Sequence, residues 1–262
     1  MNFEAQLRER INKKPQKNKL NVHTLLEHFA IISYKVELHK IAPLIPDPFK
    51  LWTFESDGKT YALISAVTFK DKDFKFHNIT SKPKFAFYQT NFRTYVIHKE
   101  TNEYCAWFFG TNLGSFTHII PKRLWKMPWE MADYTCDFKM ENNSYSQYTM
   151  SFQSKTGKGI VDISCGDDEM QLLEGFESID QQLFILTHPV EGYYLKHDNQ
   201  LGTYEIWHPK MDLKMGQSNS LYFEFFERLG LVSKEEMMHP HSVLITPSIE
   251  FEIVLPPKAV NR

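Results

Sequence analysis

The stretch that decides the fold runs from residue 85 to 109 and reads FAFYQTNFRTYVIHKETNEYCAWFF. Phe85 to His98 is rich in aromatic and β-branched side chains, the composition of a strand. Lys99-Glu100-Thr101-Asn102-Glu103 is a polar turn, and Tyr104 to Phe109 is apolar again. Two such runs joined by a short polar segment predict a β-hairpin. A second hairpin is expected downstream. In Tyr145 to Ser154, Ser146, Tyr148, Met150 and Phe152 alternate with Tyr145, Gln147, Thr149 and Ser151. Thr156-Gly157-Lys158-Gly159 then turns the chain into Ile160 to Cys165. Tyr61 to Phe69 is short and almost continuously apolar, as a buried strand should be. No helical pattern separates these strands, which argues against a doubly wound parallel sheet.

Working outward, residues 1–20 read as a polar N-terminal arm, helical at first, which Leu7 and Ile11 could anchor on one face. A strand is expected from His28 through Tyr34, then a helix over Val36 to Leu44, stopped by Pro46 and Pro48. Phe116 to Ala132 reads as two helical turns broken by Pro121 and Pro128. Ser178 caps a short helix to Leu186, and Ser218 to Leu229 reads as a helix ended by Gly230. Ser242 to Val254 is a final strand, closed by Pro256-Pro257. With no linker between two compositions, the expected organisation is the arm plus one domain over residues 21–262. The fold class is α+β, mainly antiparallel β.

The 262 residues are 42% hydrophobic and 24% charged, and 15% are aromatic, which suits sheets and a sizeable core. Thirty Lys and Arg against 32 Asp and Glu leave a formal charge of -2, against a nucleic-acid partner. The basic residues Arg8, Arg10, Lys13, Lys14, Lys17 and Lys19 read as a solvated arm. No apolar run reaches the length of a membrane span, and no secretory leader opens the chain. Cys105, Cys136 and Cys165 are odd in number and widely spaced, which fits packing thiols in a cytoplasmic protein. His239 and His241 form the closest histidine pair, without a nearby carboxylate to complete a metal site. Neither a metal nor a cofactor is expected.

His28-Phe29-Ala30-Ile31-Ile32-Ser33-Tyr34-Lys35, then Leu44-Ile45-Pro46-Asp47-Pro48-Phe49, resembles the opening strand, helix and turn of acetoacetate-decarboxylase-like proteins. Asn91-Phe92-Arg93-Thr94-Tyr95-Val96, followed by Ala106-Trp107-Phe108-Phe109, resembles the signature of the YqjF-like family, a domain of unknown function in that superfamily. Thr187-His188-Pro189-Val190-Glu191-Gly192-Tyr193-Tyr194 and Ile206-Trp207-His208-Pro209 are similar to its later region. The resemblance covers residues 25 to 255. It implies a closed β barrel or cone with a few flanking helices, enclosing a cavity.

Pro121-Lys122-Arg123-Leu124 is similar to the Pro-Lys-Lys-Leu motif of acetoacetate decarboxylases, whose first lysine forms a Schiff base. The resemblance puts Lys122 at that position and Arg123 at the second cation. An amine attacks a carbonyl only when unprotonated. Burial and a neighbouring cation both lower a lysine's pKa, as acetoacetate decarboxylase itself illustrates. The chain also departs from the decarboxylases: Glu27 replaces an early Arg, and no carboxylate stands at Ile64-Ser65 or Gln89-Thr90-Asn91. Arg93 could bind an anion or sit in a buried ion pair. Tyr95 would share its face. His118, four residues before Lys122, could serve as acid or base. Asp167-Asp168-Glu169 reads as a solvated turn. The expectation is binding of a small oxo-acid or ketone-like ligand in a central cavity. The alternatives are a Schiff-base lyase using Lys122 and a non-catalytic protein-interaction module. A homo-oligomer is left open.

Overall fold

The structure is a computed structural model and describes residues 2–16, 21–76, 85–114 and 128–259. In chain order the elements are α1 (Phe3–Asn12), β1 (Val22–Glu37), α2 (Leu38–Ile41), β2 (Phe49–Leu51), β3 (Thr53–Ser56), β4 (Lys59–Phe76), β5 (Phe85–His98) and β6 (Tyr104–Leu113). There follow β7 (Trp129–Glu141), β8 (Ser144–Ser154), β9 (Gly157–Glu169), α3 (Ile179–Leu186), β10 (Glu191–Leu195), β11 (Leu201–Trp207), β12 (Lys214–Phe223), α4 (Glu224–Arg228) and β13 (Ser242–Ala259).

The strands form one mixed sheet that closes on itself twice. The order β6-β7-β8-β9-β12-β13-β1-β4-β5 returns to β6 through the β5–β6 pairing. A second circuit, β6-β10-β11-β13-β1-β4-β5, shares five of those strands. Most pairings are antiparallel; β6 pairs in parallel with both β7 and β10. The shared wall therefore has two buried faces. Ala30, Ile32, Tyr34, Ile64, Ala66 and Phe92 point into the first ring, with Met150, Phe152, Val161, Phe223 and Phe226 opposite. Phe29, Ile31, Leu63, Val67 and Tyr95 point the other way, into a second core with Leu183, Phe184 and Leu186 of α3. Burial on both sides is why β1 and β4 read as continuous apolar runs instead of alternating ones.

Two irregularities shape the first ring. The register of β1 shifts between Glu27 and Ala30, and that of β8 shifts between Tyr145 and Tyr148. A bulge of this kind re-aims the side chains beside it. Alternation had placed Tyr145 and Tyr148 on opposite faces; the bulge buries both.

Other sequence expectations are corrected. Trp129 opens a strand, not the end of a helical turn; Tyr134, Cys136 and Phe138 are less exposed than Asp133, Thr135 and Asp137 between them. The rest of the predicted turns, residues 115–127, lies outside the described residues. The predicted helix over Ser218 to Leu229 is a strand to Phe223 and helical only over Glu224–Arg228, because Leu221 and Phe223 pack into the first ring. The strand β1 runs on to Glu37, so helix over 36–44 shrinks to α2 and a 3-10 turn. Strand β13 continues through Pro256-Pro257, and Lys258 and Ala259 pair with β11.

Helix α1 docks against the second core. Leu7 is buried, and Ile11 and Phe3 pack beside it. Trp207 Nε1 donates to the Ile11 carbonyl at 2.9 Å, and Arg10 donates to Glu103 at 2.7 Å and to the His188 carbonyl.

Candidate functional site

Polar side chains gather in the first ring around His28, while Phe92, Phe223 and Phe226 pack against one another elsewhere in it. The series begins at His28, which stacks on Phe138 with centroids 4.0 Å apart and planes at 10°. Its Nδ1 lies 2.9 Å from Tyr145 Oη. Tyr148 Oη donates to the His28 carbonyl at 2.7 Å and lies 2.9 Å from Thr68 Oγ1. Phe138 leads to Tyr88 at 6.3 Å, and Tyr88 to Tyr134 at 5.8 Å. Tyr134 Oη donates to Thr90 Oγ1 at 3.1 Å, beside the Asn112 carbonyl at 3.2 Å. Asn112 Oδ1 accepts from Thr156 Oγ1 at 3.0 Å, while its buried Nδ2 has no partner among the described residues. Strands β1, β4, β5, β6, β7 and β8 each supply part of this set.

These groups are neutral at pH 7. Burial raises the pKa of Tyr134, Tyr145 and Tyr148, so all three stay hydroxyl donors. Burial also pushes the Cys136 thiol up to about 12, which makes it a poor nucleophile. His28 is lowered by burial; Glu27 opposes this while Lys70 and Lys72 reinforce it. The cluster is thus hydroxyl-rich with aromatic walls; Tyr145 and Tyr148 are buried, and His28 and Tyr134 are partly so. The Tyr148 and Tyr134 hydroxyls donate within the protein, to the His28 carbonyl and to Thr90 Oγ1, and neutral His28 carries one unprotonated ring nitrogen.

His28 also carries an unusual backbone. Its φ is 53°, in the left-handed region that few non-glycine residues adopt inside a strand. The β1 bulge forces this conformation and aims the ring at Phe138 and Tyr145. Strain of this kind costs about 1–3 kcal/mol and tends to persist at functional sites.

A second polar cluster lies on the far side of the shared wall. Arg93 is buried and donates through Nη2 to the Leu186 carbonyl at 2.7 Å, at the C-terminal end of α3. A cation there meets the negative end of the helix dipole. Among the described residues its Nε has no partner, and no carboxylate pairs with it. Tyr95 lies under the guanidinium at 5.5 Å, and its hydroxyl is 2.8 Å from Ser65 Oγ, which continues to Ser33 at 2.8 Å. His188 and His208 face each other at 4.2 Å. Both are buried.

Arg93 and Tyr95 are therefore brought together, but in the second core and away from the tyrosine cluster of the first ring. Lys122, Arg123 and His118 lie outside the described residues. The segment that holds them starts at Gly114, whose N–H donates to the Tyr88 carbonyl at 2.8 Å. A Cβ on Gly114 would stand 2.9 Å from Tyr134 Cδ2. Sequence reasoning assigned no role to His28, Tyr88, Tyr134, Tyr145 or Tyr148. The alternation of Tyr134, Cys136 and Phe138 with charged or hydroxyl residues was the available signal for β7.

The closed sheet defines an acetoacetate-decarboxylase-like fold. The chain superimposes on acetoacetate decarboxylase from Legionella pneumophila with a TM-score of 0.57 at 13% identity, over 95% of this chain and 92% of that one. The enduracididine biosynthesis enzyme MppR, complexed with the condensation product of pyruvate and imidazole 4-carboxaldehyde, matches with a TM-score of 0.58 at 9% identity, over 92% and 90%. An acetoacetate-decarboxylase-like enzyme from Sphingomonas wittichii RW1 matches with 0.52 at 7% identity, over 93% and 94%. No curated protein matches the sequence. The chain belongs to the DUF2071 family of uncharacterized conserved proteins, whose profile matches residues 24–250.

Proposed function

We propose that this protein binds a small ketone or oxo-acid at the tyrosine cluster of the first ring. The observation that carries the reading is the set of neutral polar groups there, Tyr134, Tyr145 and Tyr148 with His28, among the apolar side chains of the first ring. The shared fold supports it: MppR is a complex with a pyruvate-derived product, and acetoacetate decarboxylase is named for an oxo-acid. Saturation-transfer NMR with pyruvate, acetone and acetoacetate tests it. Transfer to the methyl protons of at least one is expected; silence from all three overturns the reading.

A second reading, a Schiff-base lyase of decarboxylase or aldolase type, is supported by the likeness of Pro121-Lys122-Arg123-Leu124 to the decarboxylase motif. In it Lys122 is the nucleophile and Arg123 the neighbour that lowers its pKa. Borohydride added with acetone should then leave a stable mass increase on the peptide holding Lys122, absent in Lys122→Met. A labelled lysine elsewhere, or none, removes this reading and leaves non-covalent binding in place. Arg93, Tyr95 and His118 remain proposed ligand contacts only if the ligand reaches them; chemical-shift changes at those residues are the check. The protein-interaction alternative has less support, since the exposed large apolar residues Met140, Ile160, Leu172, Leu195 and Met238 lie on separate segments. No helix among the described residues is long and apolar enough to cross a membrane. Within this reading the protein is cytoplasmic, needs no nucleic acid, and uses no cofactor.

A further inference from the structure

We propose that His28 is a catalytic base, whose Nε2 removes an α-proton from a ketone bound beside Tyr145. This rests on the binding reading above and goes beyond it, because binding alone needs no base. Three independent features converge on His28.

The first is direction. The β1 bulge and the positive φ turn this ring onto the first ring's polar cluster. A strand residue bears such a conformation at a cost, and Asn or Gly would bear it more cheaply. The second is clamping. Stacking on Phe138 fixes the ring plane, and the 2.9 Å contact to Tyr145 fixes its rotation. The third is the second ring nitrogen. Among the described residues the ring's hydrogen bond is made at Nδ1, to Tyr145 Oη, and the half-buried ring carries Nε2 on its other side.

The 2.9 Å contact to Tyr145 Oη accommodates either tautomer, and a base at Nε2 requires the one protonated at Nδ1. With the proton on Nδ1 and donated to Tyr145 Oη, the Nε2 lone pair is open. The Tyr145 hydroxyl proton is then not used on His28 and can be donated to a ligand oxygen. One pair of residues thus offers a base and an oxyanion donor side by side. In the step itself the α-carbon–hydrogen bond breaks and its proton forms the Nε2–H bond. The released electron pair becomes the C=C bond, and the carbonyl π pair moves to oxygen. The enolate oxygen is stabilised by the Tyr145 hydroxyl. The step is reversible and needs no oxidant or reductant. In D2O the Nε2–H exchanges with solvent, so the return step places deuterium on the carbon. The charged groups around the imidazole are Glu27 on its own strand and Lys70 and Lys72 on β4. Lys72 pairs with Glu27 at 2.7 Å. Tyr145 and Tyr148 on β8 are neutral, as is Cys136 on β7.

The experiment follows the methyl protons of pyruvate and of acetone in D2O by NMR, with saturation transfer recorded in the same samples. The wild-type chain should exchange the methyl protons faster than buffer and heat-denatured protein. His28→Asn, which tolerates the positive φ, should keep saturation transfer and lose exchange by about a hundredfold or more. Tyr145→Phe should bind and exchange about tenfold more slowly, having lost one hydroxyl. His28→Gly serves where His28→Asn does not fold, since glycine adopts the same backbone freely. Exchange at the wild-type rate in the folded variant overturns the proposal, as does wild-type protein that binds either compound without exchanging it. In both cases saturation transfer persists and the binding reading survives. Absence of transfer to every compound of the panel overturns both together.

Discussion

Gly159→Ala should destabilise the chain by at least about 3 kcal/mol, the upper end of what one inserted methyl group costs in a packed core. Gly159 lies at the start of β9, opposite Phe152 on β8 and Phe223 on β12. A Cβ there would stand 2.1 Å from Phe152 Cζ and 2.2 Å from Cε1. Neither atom is the end of a flexible chain. The Phe152 ring is buried against Phe92 at 6.4 Å and Tyr134 at 5.3 Å, so it has nowhere to withdraw. The melting temperature should fall by roughly 6–12 °C for a chain of this size. Truncation of the opposing ring provides the check. Phe152→Ala alone should cost about 3–5 kcal/mol through the cavity it leaves. In the Gly159→Ala background it should cost at least about 2 kcal/mol less, because the methyl group occupies space the ring has vacated. Strict additivity of the two would show that the ring is not the obstacle. The pair also bears on the site, since Phe152 supports Tyr134.

The fold was legible where local chemistry and tertiary packing agree. The hairpin of β5 and β6 is announced by its turn, and Ser178 caps α3 through a 3.1 Å bond to the Gln181 N–H. The family signature around Arg93 gave the superfamily. Legibility failed where packing overrides pattern. Leu221, Tyr222 and Phe225 read as a helical stripe, yet the strand β12 takes the first two into the sheet wall. The site was the least legible part. Its composition comes from two bulges, at Glu27–Ala30 and Tyr145–Tyr148, and a bulge leaves no mark in a hydrophobic period. Without them His28 is one scattered histidine among 11, and alternation puts Tyr145 on the opposite face from Tyr148.

Stability should depend on pH in two opposing senses, and single substitutions should separate them. Asp71 is fully buried and its pKa is pushed up to about 7 from 3.8; burial raises it, and the Thr24 hydroxyl donated at 3.0 Å lowers it. The folded chain therefore keeps a proton that the unfolded chain releases. The stability from this proton is fully present below about pH 4 and disappears as the pH rises toward 7. At about 1.4 kcal/mol per pH unit, roughly 4 kcal/mol is lost by pH 8. Asp71→Asn keeps an acceptor for Thr24 and cannot ionise. It should stabilise the protein by up to about 4 kcal/mol at pH 8 and leave stability nearly unchanged at pH 4. His188 and His208 act in reverse. Burial holds them near pKa 2 and 4, against 6.5, and the neighbouring imidazole lowers His188 further. The unfolded imidazoles take up protons below pH 6.5 that the folded ones refuse. Their contribution is present above that value and lost as the pH falls, down to about 4 for His208 and lower for His188. Between pH 6.5 and 4 the two histidines therefore pull against Asp71. His188→Phe removes one refused proton, together with a buried Nε2 that has no partner among the described residues. Its stability should fall less steeply over that window, by about one proton's worth of slope, and Asp71→Asn should steepen the fall by the same amount. Urea unfolding from pH 4.5 to 8.5 measures both. Curves for the two variants that run parallel to the wild type would remove these groups as the source of the pH response.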